Sequence, residues 1–166
     1  MKLGIIQGRL SPPLNGFQEC PVDWKREFQI LSDINLDHIE WIVTTDSFNN
    51  NPLFTEDLKS YDISSICADN LVHPYIHYKS FLKDNLEPIC ISAIQNNISC
   101  ITIPLLEQSS MDDDNRRAQF TSCILEYAYK YPNLIFTFEI ESYKNVIDSI
   151  IYLHDNFKLT YDTGNM

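Results

Sequence analysis

The sequence predicts an α/β fold on a parallel β-sheet, and three observations carry that prediction. Short apolar runs recur along the 166 residues, several too continuously β-branched or aromatic for strands with one wet face. The runs lead through polar turns into segments whose apolar residues recur at helical spacing. Strand and helix alternate five times before a sixth strand, which requires parallel strands joined by right-handed crossovers. Two architectures satisfy this: a doubly wound sheet and a (β/α) barrel.

The elements follow in order. The first strand is "KLGII" (2–6). Trp24, Phe28 and Leu31, at i, i+4 and i+7, mark a helix from about Val22 to Ile34. "LDHIEWI" (36–42) is the second strand, and "NPLFTEDLKSY" (51–61) has room for about two helical turns. "DISSICA" (62–68) is the third strand; the segment 78–97 reads as helical, with Pro88 in a first turn or at a kink. "SCITIPL" (99–105) precedes a helix over about 112–131, where "MDDD" suits the positive end of the helix dipole and Phe120, Ile124, Tyr127 and Ala128 form the stripe. In "NLIFTFEI" (133–140), Phe136 and Phe138 share one face while Ile135, Thr137 and Glu139 take the other. Val146, Ile147, Ile150 and Ile151 mark a helix over about 143–155, and "FKLTYD" (157–162) is the sixth strand.

Composition narrows the partners. The length fits one domain over 1–166, and 12 basic against 23 acidic residues give a net charge of -11 with no basic cluster. That argues against nucleic acid and acidic membrane surfaces, whose binding rests on gathered positive charge. Five cysteines, with no CxxC pair, suggest neither a disulfide framework nor a structural zinc site, and read as reduced thiols. The apolar run in "MKLGIIQGRL" is too short for a signal peptide or spanning helix, so a cytoplasmic location is expected. "IIQGRLSPP" has one glycine and two prolines, which weakens a nucleotide-binding reading.

Both parallel architectures bind ligands beyond the carboxyl ends of their strands. The residues there are polar: Gln7 and Arg9; Glu40, Trp41 and Asp46; Asp69, Asn70 and His73; Glu107; Glu139 and Glu141; Asp162 and Asn165. Carboxylates, amides and a tryptophan suit a polyhydroxylated ligand, a divalent metal, or both. Glu139 ends an apolar strand, and a carboxylate buried there is costly unless it is paired or on a metal. Asp162, one parallel strand later and ~5 Å away, would start an oxygen-rich metal site; alternatively it caps a turn with Gly164. Glu107 suits an acid, a base or a substrate acceptor, or a solvated loop carboxylate. Arg9 suits a ligand carboxylate or phosphate, or a surface ion pair. His73 and His77 are spaced to share a helical face, but Pro74 disfavours a helix at His73, so a loop or hydrogen-bonding role is expected.

"GIIQGRLSPP", "GFQECPVDWKREF", "LDHIEWI", "SICAD", "ITIPLLEQSS", "FEIES" and "YDTGN" occur in an order that resembles the sugar phosphate isomerase/epimerase proteins of the xylose isomerase-like TIM-barrel superfamily. The resemblance implies a (β/α)8 barrel holding Mn, Mg, Co or Zn through a Glu, an Asp, a His and a second Glu from the last four strands. The metal would polarise a sugar carbonyl and its neighbouring hydroxyl while carboxylates move a proton between adjacent carbons through an enediolate. Glu139 matches the first ligand and proton acceptor and Asp162 the second ligand. Glu107 is a further catalytic candidate, with Gln7, Arg9, Trp41, Asp69 and Asn165 toward the substrate. Asn165 stands near the place where relatives with a "DxxH" turn carry a substrate-contacting His.

The departure is in strand number. The chain supplies an incomplete TIM-type (β/α) barrel of about six strands and five helices, without the strands that carry the remaining His and Glu. Metal binding is therefore expected to be weak or absent, and complete catalysis is not expected without those strands. The open edges at the first and sixth strands call for cover by a second copy or a further C-terminal segment. A non-catalytic carbohydrate-binding or assembly module is the alternative. A metal-dependent DNA-repair nuclease on the same barrel is disfavoured by the acidity and the lack of a His-rich cluster.

Overall fold

The computed structural model describes residues 2–12, 20–142 and 144–161. Six strands, β1 (Gly4–Ile6), β2 (His38–Ile42), β3 (Ile63–Cys67), β4 (Cys100–Leu105), β5 (Ile135–Ile140) and β6 (Phe157–Thr160), form one sheet in sequential order. Every neighbouring pair is parallel. The mixed α/β class and the parallel sheet read from the sequence are both present.

Five α-helices lie among the described residues: α1 (Trp24–Asp33), α2 (Lys79–Asn85), α3 (Glu87–Gln95), α4 (Asp114–Lys130) and α5 (Lys144–Ile151). Their distribution differs from a strict alternation. The helix expected over 78–97 is two, broken at Leu86, with Pro88 in the first turn of α3, where a missing N–H costs nothing. The link between β2 and β3 holds no α-helix, only the 3-10 turns Phe48–Asn50 and Pro52–Phe54. Buried Asn51 explains this: its Oδ1 accepts the Trp41 indole N–H (2.9 Å) and the Leu53 N–H (3.0 Å), and its Nδ2 donates to the Ile42 carbonyl (3.0 Å). That bonding fixes a turn where an α-helix would need Asn51 in regular geometry.

Strand alternation gives the sheet two unlike faces. On one, Ile39, Trp41, Ile66, Ile101, Ile103, Phe136, Phe138 and Phe157 are buried. The helices seal this face: Trp24 of α1 meets Trp41 edge to face (5.2 Å), and Phe120 of α4 meets Phe138 likewise (6.0 Å). The other face is polar, with Glu40 aligned to Ser65, Thr102 to Thr137 and Glu139 to Thr160.

Candidate functional site

The polar face ends, at the carboxyl ends of the strands, in a cavity of about 700 Å³. Ile6 and Arg9, from the end of β1 onward, border it on one side, and Thr160 and Tyr161 at the end of β6 on another. The first and last strands of the sheet thus face one space, so the sheet is strongly curved.

Five residues expected at a site come together here: Arg9, Glu40, Asp69, Glu107 and Glu139. Gln7 and Trp41, expected toward the substrate, do not line the cavity. Gln7 is buried at the turn after β1, where its N–H donates to the Glu40 carbonyl (2.9 Å) and its Oε1 accepts the Ile42 N–H (3.2 Å), tying β1 to β2. Trp41 lies on the helix-covered face against Trp24. Asp162 and Asn165 lie outside the described residues. His73 takes a loop position, its ring stacked on Phe81 (4.7 Å) and its Nδ1 accepting the Tyr75 N–H (3.2 Å).

Glu40 gains most from the structure. Its Oε1 accepts both the Ser65 hydroxyl (2.9 Å) and the Thr102 hydroxyl (2.9 Å), and Thr137 in turn donates to Thr102 (3.1 Å). Four strands thereby fix one carboxylate at the cavity wall. The partners come from registry between strands, which no single run reveals. The parity of β5 alone signals Thr137 as a neighbour of Glu139 on the polar face.

The loop after β1 has a second carboxylate behind it. Glu27 of α1 is buried, and its Oε2 accepts the Gly8 N–H (2.9 Å) while Oε1 accepts the Leu10 N–H (3.1 Å) and the Ser11 hydroxyl (2.7 Å). Gly8 sits at φ 85°, a left-handed conformation that a glycine adopts without strain. Glu27 thus clamps the turn that carries Arg9 to the cavity.

Charge shapes the cavity's chemistry. Burial, and then the neighbouring Glu107 carboxylate, hold the Asp69 carboxyl above its ordinary range. Burial pushes the Cys67 thiol far up, and Glu40, Asp69 and Glu139 add to the effect, which disfavours the thiolate that a nucleophile needs. Glu107 itself has φ 48°, unusual for a residue with a side chain. Such strain persists where the surroundings enforce it, and here it places a carboxylate at the cavity rim.

The arrangement can accept hydrogen bonds from several hydroxyls and exchange protons with them. For a metal the fit is incomplete: among the described residues, no three His, Cys, Asp or Glu side chains gather closely enough to hold an ion. Also among the described residues, no helix is long and apolar enough to cross a membrane. No protein-family model matches the chain, and no curated protein matches it.

Proposed function

We propose that this protein is a sugar or sugar-phosphate isomerase/epimerase-like protein whose strands β1 to β6 form part of a TIM-type (β/α) barrel, with the cavity as its sugar site. The observation that carries this reading is the cavity itself: carboxylates from successive parallel strands surround one space that both outer strands border. That is where parallel (β/α) folds place their ligands. The ordered motifs that resemble the sugar phosphate isomerase/epimerase proteins support the same reading.

In this reading Glu139 takes a proton from a carbon next to the sugar carbonyl and returns it to the adjacent carbon. Glu107 and Asp69 hold the substrate's hydroxyl and carbonyl oxygens. One of that pair remains protonated more readily than an isolated carboxyl, so the two can act as donor and acceptor together. Glu40, fixed by Ser65 and Thr102, orients a further hydroxyl. Mn, Mg, Co or Zn would need Asp162 and donors beyond the described residues alongside Glu139, and no step is assigned to it. Cover of the outer edges of β1 and β6 by a second copy or a further segment, and a cytoplasmic location, belong to the same proposal.

A non-catalytic carbohydrate-binding module is the second reading, favoured by Glu40, which Ser65 and Thr102 hold as a fixed hydrogen-bond acceptor at the cavity wall. Incubation with a panel of aldoses and ketoses in D2O, read by proton NMR, separates the two. Deuterium entering a carbon next to the carbonyl, lost in Glu139→Gln while binding persists, supports the isomerase reading. Binding without exchange supports the module, and no binding of any sugar overturns both.

A further inference from the structure

Two independent features of the cavity bear on what charge its ligand carries. The first is its wall, where Glu40, Asp69, Glu107, Glu139 and Arg9 are the charged residues among the described ones. Burial, and then the neighbouring Glu107 carboxylate, make Asp69 resist ionisation. An incoming dianion would meet this field in a partly enclosed space, where charges are screened less than in open solvent.

The second is the fate of the backbone donors. Phosphate groups are commonly held by N–H groups of a glycine-containing turn after a strand or by a helix N-terminus. In the turn after β1, the Gly8 and Leu10 N–H groups are already taken by the buried Glu27 carboxylate. The chain thus supplies its own anion where a phosphate would be held. The start of α4 is closed in the same way by Asp113, whose carboxylate accepts the Arg116 N–H (2.7 Å).

From these features we infer that the cavity takes polyhydroxy ligands without an anionic group, binds amino sugars best, and rejects phosphate esters. The inference rests on the reading of the cavity as a sugar site and narrows it. An ammonium group would sit beside the neighbouring Asp69 and Glu107 carboxyl groups, and neutral hydroxyls would donate to Glu40.

The test is calorimetric titration of the protein in EDTA-containing buffer at about 20 mM salt, where surface fields are least screened. The probes are glucose, galactose and mannose, each as the parent sugar, the 2-amino derivative and the 6-phosphate. In at least one series the amino sugar should bind tenfold or more tighter than its phosphate ester, with the parent between them. Raising the salt to about 200 mM should narrow the gap. Glu107→Gln should reduce the ratio of amino-sugar to phosphate-ester affinity at least threefold, whatever it does to the affinity for the parent sugar. A phosphate ester that binds as tightly as the amino sugar, or more tightly, overturns the inference and leaves the sugar site standing. Failure of all nine probes to bind overturns the sugar-site reading and the inference together.

Discussion

The Glu27 clamp gives the most exacting prediction. The side chain is 1% exposed, and its carboxylate receives three donors from the turn after β1. Glu27→Gln keeps the shape but turns one accepting oxygen into a donor, so whichever way the amide points at least one N–H is left facing an N–H. A buried donor without an acceptor costs about 1–3 kcal/mol, and loss of the charge weakens the bonds that remain. The expected loss for Glu27→Gln is therefore about 2–3 kcal/mol. Glu27→Ala removes all three acceptors and leaves a void, and should cost about 3–5 kcal/mol. Against a typical domain stability of about 5–15 kcal/mol, either change is large. Urea unfolding should show a lower midpoint with an unchanged slope. Ser11→Ala, which removes only the outermost donor, should cost about 0.5–1.5 kcal/mol. If Glu27→Gln lies within about 0.5 kcal/mol of the parent protein, the range of an ordinary surface substitution, the clamp does not hold the turn and the argument fails.

Other predictions follow from single contacts. A Cβ at Gly4 would lie 2.1 Å from the His38 ring and 2.8 Å from the His38 carbonyl oxygen. Gly4→Ala should therefore cost about 1–3 kcal/mol in thermal melts; adding His38→Ala should recover only part of it, because the backbone contact remains, and full recovery would refute the assignment. The folded state holds the Asp69 proton above the ordinary value of 3.8, so this group's stabilising contribution is full below pH 3.8 and is lost as the pH rises through the folded pKa. Asp69→Asn should remove that part of the pH dependence of stability, and Glu107→Gln should lower the Asp69 pKa in carboxyl-carbon NMR; an unmoved resonance profile would contradict the pairing. Burial raises the Cys67 and Cys90 thiols well above their ordinary range, so both should resist iodoacetamide at pH 8 in the folded protein and react in urea. Rapid alkylation of either without unfolding would refute this.

Much of the fold was legible because strands buried on both faces leave continuous apolar runs, and all six runs contain observed strands. The 51–61 segment was less legible: the side chain of Asn51 caps a 3-10 turn, and that depends on Trp41 folding back to meet it. Parity on a strand decides the outcome at Trp41. Glu40 and Trp41 are consecutive, so when one faces the polar side the other must face the helices. Grouping both with a ligand overlooks that rule. Glu27 also carries a local signal, since it lies three residues after Trp24 and four before Leu31, and all three are buried on α1. A carboxylate on an apolar stripe announces a buried partner but does not name it. The three donors come from a turn sixteen to nineteen residues earlier, beyond what helical periodicity reports.

The sequential strand order has a consequence for how the chain is made. Each new strand pairs with the one completed before it, so during synthesis the sheet can grow at one side without waiting for distant segments. In other parallel sheets, a strand inserted between earlier ones must displace or await neighbours, and such non-local pairing slows folding. Here the longest register, between β4 and β5, forms late in that series. A ribosome-stalled chain released just after β5 should therefore gain more protease resistance over one released after β4 than any earlier extension brings.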